Sequence, residues 1–104
     1  MATLEERRDH LLEILESGDL KETERLIWRG ESTQRWFDFM APVMESVGDR
    51  YAKTNKDRAV WAYEQAKALF ETFATGATNG SEGRAAVQEA AGSHVGKKLW
   101  LLRT

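Results

Sequence analysis

The sequence contains no cysteine and a single proline, Pro42. The absence of cysteine excludes disulfides, thiolate metal ligands and cysteine nucleophiles together. No apolar run reaches the roughly 18 residues that a transmembrane helix needs. The first residues, Met1–Glu6, are polar and acidic, unlike a secretory signal. These absences favour a cytoplasmic location.

Excess positive charge and the common catalytic motifs are also missing. The formal net charge is -2, which is too acidic for a protein that binds duplex nucleic acid through a basic face. There is no phosphate-binding loop, no nucleophile elbow and no zinc-protease motif. The two histidines, His10 and His94, have no partner at metal-ligand spacing. We therefore expect no nucleic-acid partner, no membrane, no metal site and no catalytic residue of a standard type.

The strongest positive pattern lies in two segments, residues 32–51 and about 57–74, with apolar side chains at helical spacing. Because neither segment can bury its apolar face alone, each requires the other and further helices. We predict an all-α fold, a four- to five-helix bundle with a short C-terminal apolar tail. The apolar residues are Trp36, Phe37, Met40, Val43, Met44, Val47 and Tyr51 in the first segment, and Ala59, Ala62, Ala66, Leu69, Phe70 and Phe73 in the second.

Capping residues mark the predicted helix boundaries. Thr3–Glu6 has the form of a capping box, and Gly18 can take the left-handed conformation that ends the first helix. Asp19 begins a short second helix that ends at Gly30. The remaining candidates for N-caps are Ser32 or Thr33 for the third helix and Asn55 or Asp57 for the fourth.

Two residues inside the third helix are unfavourable to it. Pro42 cannot donate to the carbonyl of Asp38, so we expect a kink or a 3₁₀ start near residues 38–42. Gly48 lowers helix propensity in the same segment.

The chain after the fourth helix is divided by glycines. We predict a bundle over residues 1–75, a linker over 76–81 and a C-terminal region over 82–104. In that region a small-residue helix from about 82 to 91 is weakened by Gly92, and Gly96–Lys98 separates it from Leu99–Leu102. This last run fits a buried strand or a docked helix end equally well.

Trp61 stands apart from the other aromatic residues. It lies one position off the apolar stripe of the fourth helix, on the same side as Glu64 and Gln65. An indole beside a carboxylate and an amide, off the core face, can line a ligand surface or contact a partner protein.

Residues 11–73 resemble the helical cap module of cobalamin-binding domains, found in methionine synthases, corrinoid proteins and light-sensing transcriptional regulators. Leu11–Asp19 is similar to the leucine-rich helix that opens the module and closes on Gly-Asp, and Leu20–Arg29 is similar to its short second helix. Ala41–Tyr51 resembles the third helix, with its proline, its Val47-Gly48 pair and its terminal aromatic, here Tyr51.

The resemblance implies a tetrapyrrole ligand such as cobalamin, held between the third and fourth helices. Carried over, the residues near the upper axial ligand are Tyr51, Glu64 and Gln65, with Trp61 nearby. Two further residues complete the expected cofactor-binding set, Val47 and Ala62.

The chain departs from the cap module at several points. Gln65 stands where the family has a histidine, which excludes cobalt ligation by a histidine at that position. The segment between Tyr51 and Glu64 is a few residues longer than in the family. Gly96–Leu102 resembles the first strand of the Rossmann-like domain that follows the cap, whose Asp-x-His-x-x-Gly supplies the lower ligand. A cap alone covers one face of the cofactor, which leaves three alternatives: a partner chain, a different ligand or no ligand.

Three functional hypotheses remain at this point. The first is a sensor or regulatory module that binds a flat apolar ligand. The second is a cofactor-free interaction or homo-oligomerisation module that uses Trp61 and Leu99–Leu102. The third, a small enzyme with Tyr51 and Glu64 as acid and base, is the least favoured, because a glutamate near an aromatic ring is common in helix bundles.

Overall fold

The computed structural model contains five α-helices. It describes residues 3–29, 33–76 and 82–103, with the side chains of all of these except 73–76 and 82–91. Within these ranges no residue forms a strand, which confirms the predicted all-α fold. The helices are α1 (Leu4–Glu16), α2 (Leu20–Trp28), α3 (Gln34–Tyr51), α4 (Lys56–Gly76) and α5 (Glu82–Arg103).

The ends of α1 and α2 follow the local signals. The Thr3 hydroxyl accepts a hydrogen bond from the Glu6 amide at 3.1 Å, as a capping box requires. Gly18 has a φ of 96°, a conformation that other residues avoid. Asp19 then caps α2 by accepting from the amide of Glu22 at 3.0 Å. The predicted end of the first helix at Gly18 and the predicted start of the second at Asp19 are thus confirmed.

Capping also settles which alternative begins the next two helices. The Thr33 hydroxyl accepts from the Trp36 amide at 3.3 Å, so Thr33 is the N-cap of α3. The Asn55 side chain accepts from the Arg58 amide at 3.1 Å and begins α4. The other α3 candidate, Ser32, and the predicted end of α2 at Gly30 lie outside the described residues.

Helices α3 and α4 pack along their lengths and form the centre of the core. Trp36 is 1% exposed, and its indole donates to the Ile27 carbonyl at 2.9 Å, which ties α3 to α2. Most residues of the two predicted stripes are buried, but Phe37, Val43 and Tyr51 are only partly so. The Phe73 side chain lies outside the described set. The buried stripe residues are Trp36, Met40, Met44, Val47, Ala59, Ala62, Ala66, Leu69 and Phe70.

Helix α5 differs from the sequence prediction. It runs without interruption from Glu82 to Arg103, so the predicted break at Gly96–Lys98 and the strand alternative for Leu99–Leu102 are both wrong. The physical reason is packing against α4, because the Gly92 backbone lies close to Phe70 and buried Leu99 joins the core. Tertiary contact thus outweighs the low helix propensity of glycine. Residues 77–81 of the predicted linker lie outside the described ranges.

Pro42 is accommodated without a change of helix type. Helix α3 is α-helical from Gln34 to Tyr51, so the predicted 3₁₀ start is absent, and Pro42 is exposed. Buried Met40, Ala41 and Met44 on either side hold the segment against the core despite the lost hydrogen bond. The kink stays a prediction.

The molecule is flat, with extents of 41 × 40 × 17 Å. Helix α5 packs chiefly on α4, while α1 and α2 pack on each other at the other side of the α3–α4 pair. None of the helices, over their described residues, has an apolar stretch that would cross a bilayer.

Candidate functional site

The interface between α3 and α4, where the sequence predicts a ligand, is closely packed at Gly48. A Cβ atom placed on Gly48 would stand 2.9 Å from Cγ of Tyr63 and closer still to two other ring carbons. Val47 and Ala62, two residues of the predicted cofactor-binding set, are 5% and 0% exposed within the same core. Glycine at position 48 therefore serves helix packing.

Tyr63 also belongs to a polar cluster that joins α3, α4 and α5. Its hydroxyl donates to Asp49 of α3 at 2.5 Å. The Lys98 ammonium of α5 donates to the same Asp49 carboxylate at 3.0 Å and to Glu45 at 2.7 Å. It also lies 5.7 Å from the centroid of the Tyr63 ring. We call Glu45, Asp49, Tyr63 and Lys98 the polar cluster.

The polar cluster shifts the pKa of three of its groups. Burial alone would raise the pKa of Asp49, but hydrogen bonds from Tyr63 and Lys98 outweigh it and hold that pKa below its usual value. Burial and the bond to Asp49 raise the pKa of Tyr63 to about 12. Burial would lower the pKa of Lys98, yet its bonds to Glu45 and Asp49 raise it. These shifts keep Asp49 ionised, Tyr63 protonated and Lys98 charged, which are the forms that the hydrogen bonds need. The polar cluster is therefore structural rather than reactive.

Gln65 faces α2 from a nearly buried position, being 8% exposed. Its side-chain oxygen accepts a hydrogen bond from the indole of Trp28 at 2.6 Å. Its amide nitrogen donates to Glu24 at 2.7 Å. Both polar ends of Gln65 thus bind α2, and the residue joins that helix to α4.

Glu64 has a different neighbour from Gln65. It is half exposed and accepts a hydrogen bond from Arg103 of α5 at 2.8 Å. Successive residues of an α-helix are about 100° apart around the axis, so adjacent positions face different elements. Glu64 therefore lies on the α5 side of α4.

Tyr51 lies where α3 ends, between two guanidinium groups. Those of Arg50 and Arg58 are each 5.1 Å from its ring centroid. Trp61 is partly buried and packs against the core. The six predicted site residues thus do not share one site. Val47 and Ala62 lie in the core and Trp61 packs against it, Gln65 contacts α2, Glu64 contacts α5, and Tyr51 lies at the turn between α3 and α4.

A groove runs along the outer side of α4 and α5, with a volume of about 460 Å³. The α4 wall is largely charged, whereas the α5 wall carries an apolar rim. Glu64 is the one member of the predicted site that contributes to it. The lining residues are Glu64, Lys67, Ala68 and Glu71 of α4, and Gly96, Leu99, Trp100 and Arg103 of α5.

Two adjacent apolar residues project from α5, and the first of them, Trp100, lines this groove. Trp100 is 65% exposed and Leu101 is 66% exposed, whereas Leu99 beside them is buried. Sequence reasoning singled out this apolar run but did not separate its buried residue from its exposed ones. The helical period would have done so, because Leu99 shares a face with Val95.

A smaller depression lies on α2. Its volume is about 390 Å³, and the Trp28 ring that lines it packs against Phe37 with centroids 5.3 Å apart. Three cationic residues line it, although Arg25 is hydrogen-bonded to Glu22. Sequence reasoning did not identify this depression. The cationic residues are Lys21, Arg25 and Arg29.

Within the described part of the chain, no three histidine or carboxylate side chains are arranged to hold a metal ion. His10 and His94 are both exposed. The chain matches no protein-family model, and no curated protein and no solved structure was found to be similar to it.

Proposed function

We propose that this chain is a cofactor-free interaction module that self-associates through the outer face of α4 and α5. The observation that carries the proposal is the exposed ring of Trp100, which lines the groove, with exposed Leu101 next to it on α5. Tryptophan at the edge of a groove is typical of the anchors that dominate binding energy in protein interfaces. Trp61 lies on the same side of α4 as Glu64 and Ala68, at steps of three and four, and extends this face.

The test is the mass of the full chain by light scattering over a range of concentrations. The wild type is expected to exceed the monomer mass, and Trp100→Asp is expected to return it to that of a monomer. Thr54→Asp, which adds the same charge at an exposed turn residue, is the matched control and leaves the mass unchanged. A wild type that is monomeric throughout, with no effect of Trp100→Asp, would contradict the proposal.

A second candidate function is the binding of a flat tetrapyrrole by a sensor or regulatory module. The observation in its favour is Tyr51, whose partly exposed ring lies between the guanidinium groups of Arg50 and Arg58. An aromatic ring beside two cations suits a planar ligand with peripheral carboxylates. Titration with haem and with cobalamins tests it, because binding shifts the visible spectrum. An Arg58→Gln variant should bind more weakly, and an unchanged spectrum with the wild type would reject the candidate.

A further inference from the structure

We infer that the partner on this face is a second copy of the chain, with the two α5 helices antiparallel across a two-fold axis. This inference rests on the proposed self-association and adds the number of copies and their relative orientation. In a two-fold interface the same surface occurs on both sides, so it must be complementary to itself. Two properties of the α4 and α5 face meet that condition.

The first property is an alternation of small and large residues on α5. Gly96 and Trp100 are four residues apart, which is about 6 Å along the helix. When two α5 helices run antiparallel about an axis midway between these residues, each Trp100 falls opposite the other copy's Gly96. The same axis places Arg103 opposite Ser93. The four residues of this face follow steps of three and four: Ser93, Gly96, Trp100 and Arg103.

The floor of the groove at Gly96 suits an indole ring. Gly96 lacks a side chain and Ala68 across the groove has a short one, so the Lys67 side chain lies beside Gly96 and forms part of the floor there. A Cβ on Gly96 would stand 3.4 Å from Cε of Lys67. An indole placed on Gly96 would therefore contact the Lys67 side chain, a favourable pairing of a cation with an aromatic ring.

The second property is charge. Glu71 of α4 is paired with Lys67 of its own helix, and its carboxylate can accept from further donors. Cγ of Glu71 is 4.0 Å from the Cβ position of Gly92, so Glu71 is level with the start of the small half of the α5 face. The antiparallel pairing places Arg103 of the second copy opposite Ser93, and therefore beside Glu71. Arg103 already donates to Glu64 of its own chain, but a guanidinium has five N–H groups and can serve both carboxylates. Each copy then contributes one such pair.

The test uses two charge-reversal variants of the full chain, Arg103→Glu and Glu71→Arg. Each places like charges together twice in its own dimer, and we expect a dissociation constant at least tenfold above that of the wild type. An equimolar mixture should associate again, because both contacts in the mixed dimer join opposite charges. Sedimentation velocity measures the association, and circular dichroism checks that each variant is folded.

Glu64→Arg provides the matched control, because Glu64 pairs with Arg103 inside one chain. This variant should itself associate, since it keeps Arg103 and Glu71. Labelled Arg103→Glu should bind it more weakly than it binds Glu71→Arg, because one of the two contacts still joins like charges. A wild type that is monomeric would overturn both this inference and the proposed function. A wild type that associates through Trp100 but shows no restoration in the charge-reversal mixture, or that forms assemblies larger than a dimer, would overturn only the two-fold pairing.

Discussion

The aromatic ring of Tyr63 lies on the backbone of Gly48, where α3 and α4 approach most closely. From that position its hydroxyl reaches Asp49, the next residue of α3, at 2.5 Å. The ring of Tyr63 thus packs on Gly48, and its hydroxyl binds the adjacent residue, Asp49. The contact explains why a residue unfavourable to helices stands in the middle of α3.

Substitution of Gly48 by alanine should destabilise the fold. Alanine improves helix propensity, but its Cβ would overlap the Tyr63 ring and force the helices apart, so we expect a loss of about 1–3 kcal/mol. Urea unfolding measures this. Gly92→Ala is the matched control, because its Cβ would make only ordinary contacts, 3.5 Å from Cβ of Phe70, and should be neutral or stabilising. In a Tyr63→Ala background the cost of Gly48→Ala should vanish. A cost that persisted there would show that overlap with the Tyr63 ring is not the cause.

Removal of the Tyr63 hydroxyl should cost about 1 kcal/mol of the free energy of unfolding, because Asp49 loses one donor and keeps Lys98. Chemical denaturation of Tyr63→Phe measures the loss. Tyr51→Phe is the comparison, since the Tyr51 hydroxyl accepts only a 3.4 Å bond from exposed Arg50. We expect it to change stability by less than about 0.5 kcal/mol. Equal effects of the two variants would contradict a structural role for the polar cluster.

Stability should fall at both ends of the pH range because of the polar cluster. The pKa of Asp49 is lowered from 3.8, so its contribution is present above that value and is lost as the pH falls through the folded-state pKa. The pKa of Tyr63 is raised from 10.0 to about 12, so the folded state retains a proton that the unfolded chain loses between these values. Its contribution therefore disappears as the pH rises from 10 to 12. The raised pKa of Lys98 acts in the same direction.

Urea midpoints measured at intervals from pH 3 to 6 and from pH 9 to 12 test these two arms separately. Asp49→Asn should make the acid arm shallower, and Tyr63→Phe should do the same for the alkaline arm. Slopes that neither variant alters would show that other groups control the pH dependence.

Replacement of Gln65 by methionine should destabilise the protein by about 1–3 kcal/mol, because the Trp28 indole loses its buried acceptor. The indole N–H resonance of Trp28 in NMR spectra should shift with the loss of this hydrogen bond. The adjacent residue provides the control, since Glu64→Gln alters only an exposed ion pair worth about 1 kcal/mol or less. If the Trp28 resonance moved in Glu64→Gln but not in Gln65→Met, the two side chains would have been placed on the wrong sides of α4.

Two tryptophans of opposite burial should respond differently to truncation. Trp36→Ala removes a ring that is 1% exposed and should cost about 3–5 kcal/mol. Trp100→Ala removes a ring that is 65% exposed and, at concentrations too low for association, should change stability by no more than about 0.5 kcal/mol. Thermal unfolding of dilute samples measures both. A large loss in Trp100→Ala under those conditions would place that ring in the core.

Local signals allowed much of the fold to be predicted. The caps at Thr3, Asp19 and Asn55 and the left-handed Gly18 depend on contacts within four residues, so they can be recognised from neighbouring letters. The prediction of a break at Gly96 was wrong because helix propensity describes an isolated helix, whereas α5 is stabilised by packing along α4.

The candidate site could not be predicted to the same degree. Gln65 forms hydrogen bonds with Trp28 and Glu24, which are 37 and 41 residues away in the sequence. No rule of sequence spacing relates positions so far apart. Prediction of the groove likewise requires the register of α4 against α5, which places Gly96 beside Lys67.

The amino-acid sequence by itself determined where most helices begin, which faces are apolar and that the chain is all-α, because capping and helical period act over a few residues. Only the tertiary structure decided that α5 is continuous, that Tyr63 covers Gly48 and that Trp100 projects beside a groove. These outcomes depend on how helices distant in sequence approach one another, and burial of their shared apolar faces, rather than local preference, sets that approach.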